Sequence, residues 1–302
     1  MIDVCLLGTG GTMPLPERAL TSLLIRFNGK NLLVDCGEGT QVMIRKSGFS
    51  LNKIDAILIT HFHADHISGI VGLLLSMAKC ERTEQIEIIG GKGIESVVRS
   101  LCVIAGDLPF EIKYREIESP RQSFKINDLR VETLLLNHSV PCYGYAFHLD
   151  RIGKFMPQKA AELGIDPRLW GKLQSGQSVE SNGIVCTPDM VLGQPRNGLK
   201  ITYCTDTRPT PELNDFAKDS DLFICEGMYA EDDKLEKAAV NKHMMFREAA
   251  EAAKNANVKK LWLTHFSPSI KDPDEYAEFA RSLFENTTIP HDLELETLKY
   301  TD

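Results

Sequence analysis

The sequence predicts an α/β layered domain. Short apolar runs bounded by glycine or polar turns recur along the chain, helical patterns lie between several of them, and the alternation covers both halves. In order, the expected strands are IDVCLL (2–7), SLLIRF (22–27), NLLVD (31–35), AILIT (56–60), IEIIG (86–90), VETLLL (131–136) and YGYAFHL (143–149). The second half continues with KITYCT (200–205), DLFICE (221–226) and KLWLT (260–264). Helices fit residues 67–79 and 95–105. A third fits 246–254, where Phe246, Ala249, Ala250 and Ala253 recur at i, i+3, i+4 and i+7 and mark one buried stripe.

Residues 151–198 break this rhythm. They are rich in Gly, Pro, Ser and Gln and carry six Lys/Arg (Arg151, Lys154, Lys159, Arg168, Lys172, Arg196) against four acids (Glu162, Asp166, Glu180, Asp189). That segment is +2 in a chain of net charge -8, so the remainder is -10. The expectation is a single domain over 1–302 with a protruding, flexible arm inserted at 151–198.

Composition bounds the rest. With 43% hydrophobic and 25% charged residues the chain has ample material for a core. The acidic balance argues against diffuse binding of nucleic acid but allows a local basic patch. No apolar run reaches the ~18 residues of a membrane span, and the N-terminus lacks the basic and apolar regions of a signal peptide. The eight cysteines are scattered without a CxxC spacing, which reads as free thiols in a reducing cytosol.

The chemistry concentrates in His61-Phe62-His63-Ala64-Asp65-His66. Imidazoles and carboxylates are good ligands for Zn²⁺ and similar ions. With 8 histidines in 302 residues, such a pattern arises by chance roughly once in three thousand chains, which decides for a metal site over a polar turn. His61 and His63 alternate and can grip one metal. Asp65 and His66 follow at a helix start and can face a second. Further ligands end other expected strands: His138 after LLLN, Asp206 after TYCT, His265 after LWLT. In α/β sheets such strand ends converge. Asp206 suits a carboxylate bridging two metals.

HFHADH with these downstream residues resembles the metallo-β-lactamase superfamily. LGTGGTMPLPERALTSLLI, DCGEGTQ (35–41), NHSVPCYGY (137–145) and LTHFS (263–267) are similar, more narrowly, to the ribonuclease Z family of tRNA 3′-end processing endonucleases, in its short form and over essentially the whole chain. The resemblance implies a four-layer αβ/βα sandwich holding two Zn²⁺, with Mn²⁺ or Co²⁺ as other candidate metals. It assigns His61, His63 and His138 to one metal, Asp65, His66 and His265 to the other, and Asp206 to both. It implies a homodimer that cleaves precursor tRNA and leaves a 3′-hydroxyl.

Two metals ~3.5–4 Å apart stabilise the attacking and leaving oxygens of a phosphodiester, and Asp65 stands where it can orient or deprotonate the attacking water. The family also carries a histidine at the position of His243, which implies assistance to the departing 3′-oxygen, with Glu226 orienting it. Here the chain departs from the usual His-Ser-Thr and reads His243-Met244-Met245.

For RNA, the turn Gly37, Gly39, Thr40 is expected to bring backbone N–H groups to a phosphate at a helix start, with Asp35 supporting the metal site from behind. The arm's Lys154, Lys159, Arg168 and Lys172 are expected on the tRNA backbone. The arm lacks the family's Gly-Pro turn and reads IDPRLWG (165–171) instead. The rival reading is a zinc phosphodiesterase for small phosphodiesters or cyclic nucleotides, since fold and metals do not fix the substrate.

Overall fold

The computed structural model describes residues 1–194 and 196–300. Their strands are β1 (Ile2–Gly8), β2 (Ser22–Phe27), β3 (Lys30–Val34), β4 (Ile54–Leu58), β5 (Ile86–Gly90), β6 (Ile112–Glu116), β7 (Arg121–Ile126) and β8 (Leu129–Leu136). They continue with β9 (Cys142–Arg151), β10 (Val179–Ser181), β11 (Ile184–Cys186), β12 (Arg196–Cys204), β13 (Leu222–Glu226), β14 (Leu261–Thr264), β15 (Thr287–Thr288) and β16 (Glu294–Leu298). Two seven-stranded sheets result, in the orders β16-β1-β2-β3-β4-β5-β6 and β15-β14-β13-β12-β9-β8-β7. Every strand expected from the sequence is present.

Each sheet has a parallel run that reaches one edge, β3 to β6 in one and β12 to β15 in the other. Its interior strands β4, β5, β13 and β14 are buried on both faces, which is why their sequences read as near-continuous apolar runs and not as alternation. Helices at Thr40–Lys46, Ile70–Lys79 and Ile94–Leu101 pack on the first sheet through Ile44, Leu73, Leu74, Met77, Ile94 and Val98. Helices at Pro211–Ala217, Phe246–Asn255 and Ala277–Leu283 cover the second. The expected stripe Phe246, Ala249, Ala250, Ala253 is buried there. The other faces of the sheets meet: the Tyr145 hydroxyl on β9 donates to the Ile59 carbonyl at the end of β4, at 2.7 Å. The layering is thus the αβ/βα sandwich of the metallo-β-lactamase fold.

Two helices differ from their sequence reading. The helix expected over 67–79 is split into Ala64–Ile67 and Ile70–Lys79. The break falls at Gly69, where a Cβ would lie 1.9 Å from the Gly37 carbonyl oxygen. The helix expected over 95–105 ends at Leu101 and passes into a 3₁₀ turn, Cys102–Ile104.

By contacts the described residues divide into two compact units, residues 1–147 with 200–299, and residues from 148–199 with Tyr300. The first holds both sheets. The second is more ordered than a loop: short helices Pro157–Glu162, Trp170–Gln174 and Pro188–Val191 and the β10–β11 hairpin surround a small core of Ala160, Ile165, Leu173, Val179, Cys186 and Val191. All eight cysteines are free. Among the described residues no helix is long and apolar enough to cross a membrane.

Candidate metal centre

Parallel register brings the strand ends together. Val34 pairs with Leu58, Cys204 with Cys225, and Glu226 with Thr264. Asp35, His61, Asp206, Glu226 and His265 therefore leave their strands at one end of each sheet. Asp35, Asp206 and His265 also take left-handed backbone conformations, with φ of 62, 47 and 58°. Non-glycine residues adopt these at a cost, and such turns gather where a site needs side chains aimed inward.

The ligand types converge in three overlapping groups: His61, His63, His138 and Asp206; Asp65, His66 and His265; and Asp206, His243 and His265, with ligand atoms in each within 4.8 Å of one another. The first two divide seven ligands between two positions, and Asp206 faces both. Its Oδ2 lies 3.6 Å from His61 Nε2 and 3.7 Å from His138 Nε2. Its Oδ1 lies 3.3 Å from both His66 Nε2 and His265 Nε2. His63 presents Nδ1 to the centre, 3.0 Å from His61 Nε2 and 3.3 Å from His138 Nε2.

The nitrogens facing away from the centre have partners that fix the rings. His66 Nδ1 meets Asp35 Oδ2 at 2.8 Å. The Thr60 hydroxyl lies 3.0 Å from His61 Nδ1 and 2.9 Å from Asp35 Oδ1. His138 Nδ1 meets the Lys242 carbonyl at 3.1 Å, while Lys242 Nζ donates to the His138 carbonyl at 2.9 Å. Asp65 Oδ2 accepts from the Thr12 backbone N–H at 2.7 Å.

A divalent metal pair fits these residues. Asp206 Oδ1 is buried without a hydrogen-bond partner among the described residues. The donor set is imidazole and carboxylate, the chemistry such ions prefer. Protonation points the same way. Burial, then the neighbouring His66, pushes His61 down to about 2, so it is a neutral ligand. Burial would raise Asp206, but His265, His66 and His61 hold it well below the usual carboxylate range. Burial would lower His66, but Asp206 and Asp35 hold it well above the ordinary imidazole range. A proton thus sits where a cation of higher charge would be held.

His243 stands beside this centre, its ring centroid 5.2 Å from that of His138 and 5.5 Å from that of His265. Glu226 is fully buried, not a solvated strand-end acid. Its Oε1 accepts from the Thr207 N–H and its Oε2 from His243 Nδ1 at 3.0 Å. Burial would lower His243, but Glu226, with Asp206 and Asp65, raises it to about 9. Arg208 secures the same segment: Nη1 donates to the His243 carbonyl at 2.6 Å, and the guanidinium pairs with Glu248. Glu248 in turn accepts from the Met245 N–H at 2.9 Å. Met244 and Met245 are buried in apolar contacts.

The Gly37-Glu38-Gly39-Thr40 turn also packs closely against the metal loop. Gly37 is buried, and a Cβ there would lie 2.1 Å from the Asp65 carbonyl oxygen. The buried Thr40 hydroxyl donates to the Gly37 carbonyl at 2.8 Å. Close packing against the metal loop accounts for Gly37 and Thr40, and Gly39 alone of the three is partly exposed. In the 148–199 unit, Lys154, Lys159, Arg168 and Lys172 are all exposed, and Arg168 pairs with Asp166 at 2.6 Å. His291 is a surface residue beside Asp274. Sequence reasoning missed Thr60, Lys242 and Arg208, whose residue types carry no metal signal, and Glu248, a helix carboxylate that serves Arg208 and not a metal.

Known proteins match this chain throughout. A family described as "Anti-Pycsar protein Apyc1" matches residues 2–155, and one described as "Beta-lactamase superfamily domain" matches 189–266. "Ribonuclease Z" of Lachnoclostridium phytofermentans is 51% identical over 300 residues, 99% of this chain and 99% of that protein. "Ribonuclease Z" of Agathobacter rectalis is 51% identical over 302 residues, 100% of each. Among solved structures, human tRNase Z, short form, superposes with a TM-score of 0.70 at 23% identity, covering 99% of this chain and 100% of that one.

Proposed function

The chain belongs to the ribonuclease Z family of metal-dependent endoribonucleases, and from that premise we propose that it removes 3′ trailers from tRNA precursors by hydrolysis, as a homodimer in the cytoplasm. We assign the two metals as Zn²⁺, one held by His61, His63 and His138, the other by Asp65, His66 and His265, with Asp206 shared. The observation that carries this reading is Asp206 turning one oxygen to each group, with His243 Nδ1 4.0 Å from its Oδ2. One metal pair then serves one phosphate, and one imidazole stands at its edge.

When bound, the metals polarise the phosphate and lower the pKa of water to about 7. The chain's own groups do the rest. Asp65, held by the Thr12 N–H, orients the attacking water and takes its proton. His243, an imidazolium held by Glu226, gives a proton to the departing 3′-oxygen. Buried Glu226 ties two elements into one geometry, because it also holds the Thr207 N–H next to Asp206. Residues 151–198 act as an arm inserted in one domain, with Lys154, Lys159, Arg168 and Lys172 on tRNA phosphates. Deleting the arm lowers the salt dependence of binding; an unchanged slope sinks that assignment.

The test is cleavage of an end-labelled tRNA precursor by metal-loaded protein, with both product ends mapped. One cut leaving a tRNA 3′-hydroxyl, absent in Asp65→Ala, is the expected result. Hydrolysis of a small phosphodiester with no cut in the precursor overturns the tRNA assignment and leaves the rival phosphodiesterase reading.

A further inference from the structure

We propose that the cleft beside His61 and His63 is a nucleobase site for the first trailer nucleotide. The proposal rests on the precursor-tRNA reading and adds a substrate contact to it. The cleft has a volume of about 340 Å³ and shares His61 and His63 with the metal centre. Phe62, Val140, Pro141 and Tyr143 form its apolar walls, and exposed Lys92 stands at its rim. Two aromatic rings and a cation are what a single-stranded nucleotide needs: a face for the base and a charge for the adjoining phosphate. The volume lies at the low end for small-molecule sites, which suits one nucleoside.

The placement says which nucleotide. In the hydrolysis, water oxygen bonds to phosphorus, the P–O3′ bond breaks, and O3′ leaves with a proton. The phosphate stays on O5′ of the trailer. His243, which supplies that proton, stacks on His265 and lies tilted beside His138, and neither of these lines the cleft. The tRNA ribose therefore lies toward His243. The trailer's nucleoside, attached through a non-reacting oxygen, has the His61–His63 edge and its cleft before it. Stacking would leave the site indifferent to which base it takes, because every base offers a π-face.

The experiment compares two precursors that differ only at the first trailer nucleotide, one with its natural base and one abasic. Wild-type enzyme is expected to lose about 5- to 150-fold in kcat/KM on the abasic precursor. Val140→Phe, which fills the cleft, is expected to lose a comparable factor on the natural precursor and to become indifferent to the missing base. Metal content of the variant, measured alongside, reports on the integrity of the centre. Equal cleavage of both precursors by wild type overturns the proposal. So does full discrimination retained in a Val140→Phe enzyme of normal metal content. If neither precursor is cut while a small phosphodiester is hydrolysed, the tRNA reading itself has failed and takes this site with it.

Discussion

The two ligand groups of the centre solve different electrostatic problems. His61 and His138, beside His63, are neutral donors: a hydroxyl backs His61, a backbone carbonyl backs His138, and burial lowers the pKa of both. Asp65, His66 and His265 form a charged group. Asp35 sits behind His66, and hydrogen bonds from His265 and His66 outweigh burial to hold Asp65 well below the usual carboxylate range. The neutral group holds a cation by geometry and lone pairs, the charged group by field as well. Metal must displace a proton from His66 in the second group, so retention there weakens as pH falls through the raised His66 pKa. The first group, whose His61 is unprotonated down to about pH 2, faces less proton competition.

The largest expected effect removes the residue the two groups share. Asp206→Ala leaves His61, His138, His66 and His265 without their common carboxylate. Precursor cleavage is expected to fall on the order of 10⁴-fold or more, with metal lost from both groups. Metal analysis beside single-turnover kinetics checks this. Loss from one group alone breaks the idea that one carboxylate joins them.

His243 clusters with Asp206 and His265, but its Nδ1 is engaged by Glu226 at 3.0 Å and it is assigned to neither metal, so its loss is expected to leave metal content intact. His243→Ala is expected to cost about 10²- to 10⁴-fold in kcat, the range for a general acid. Its pKa of about 9 sets the sign of the pH dependence. The imidazolium is present below that pH, so the rate declines as pH rises through it. In Glu226→Gln the descending limb moves to lower pH, because the charge that raises His243 is gone. A limb that stays in place rules out His243 as the titrating acid.

Asp35→Asn isolates the charged group. Asparagine tolerates the left-handed backbone at this position, where φ is 62°, so the change adds no backbone strain. The carboxylate charge behind His66 disappears and one of the two oxygens, which accept from Thr60 and His66, becomes an amide NH₂. Affinity of the Asp65 group for metal is expected to drop 10- to 100-fold, with the His63 group less affected. Calorimetric titration of the apo protein, resolving two binding events, measures both.

What the sequence makes legible follows the same division. Ligand residues are constrained by chemistry, so HFHADH announces itself, and His138, Asp206 and His265 follow from being strand ends in an α/β pattern. Their partners are not constrained by type. Thr60 offers a hydroxyl, Lys242 a backbone carbonyl, and Arg208 a donor that could serve anywhere. Lys242 and Arg208 act on residues remote in sequence, and Thr60 joins its neighbour His61 to the remote Asp35, so only tertiary structure reveals their roles. Gly37 is ambiguous in sequence because a glycine-rich turn before a helix suits a phosphate and tight packing equally well. The 148–199 unit hid its helices because runs as short as Trp170–Gln174 are under two turns and show no period.

The smallest effect sharpens the comparison from the neutral side. Lys242 holds His138 twice, by its carbonyl on Nδ1 and by its Nζ on the His138 carbonyl. Lys242→Met removes only the second contact. The backbone there has φ of 57° whichever of the two side chains it bears, so the carbonyl that orients the ring remains. Lys242 is half-exposed and water can replace its ammonium at the His138 carbonyl, which limits the loss. A decrease of about threefold to tenfold in metal affinity at the His61 group is expected, with the Asp65 group unchanged. Lys242→Gly relieves the left-handed backbone and also lacks Nζ; it should match Lys242→Met if the ammonium contact is what counts. Equal weakening of both groups by Lys242→Met would show that the neutral and charged halves respond as one unit, and the division between them would fall.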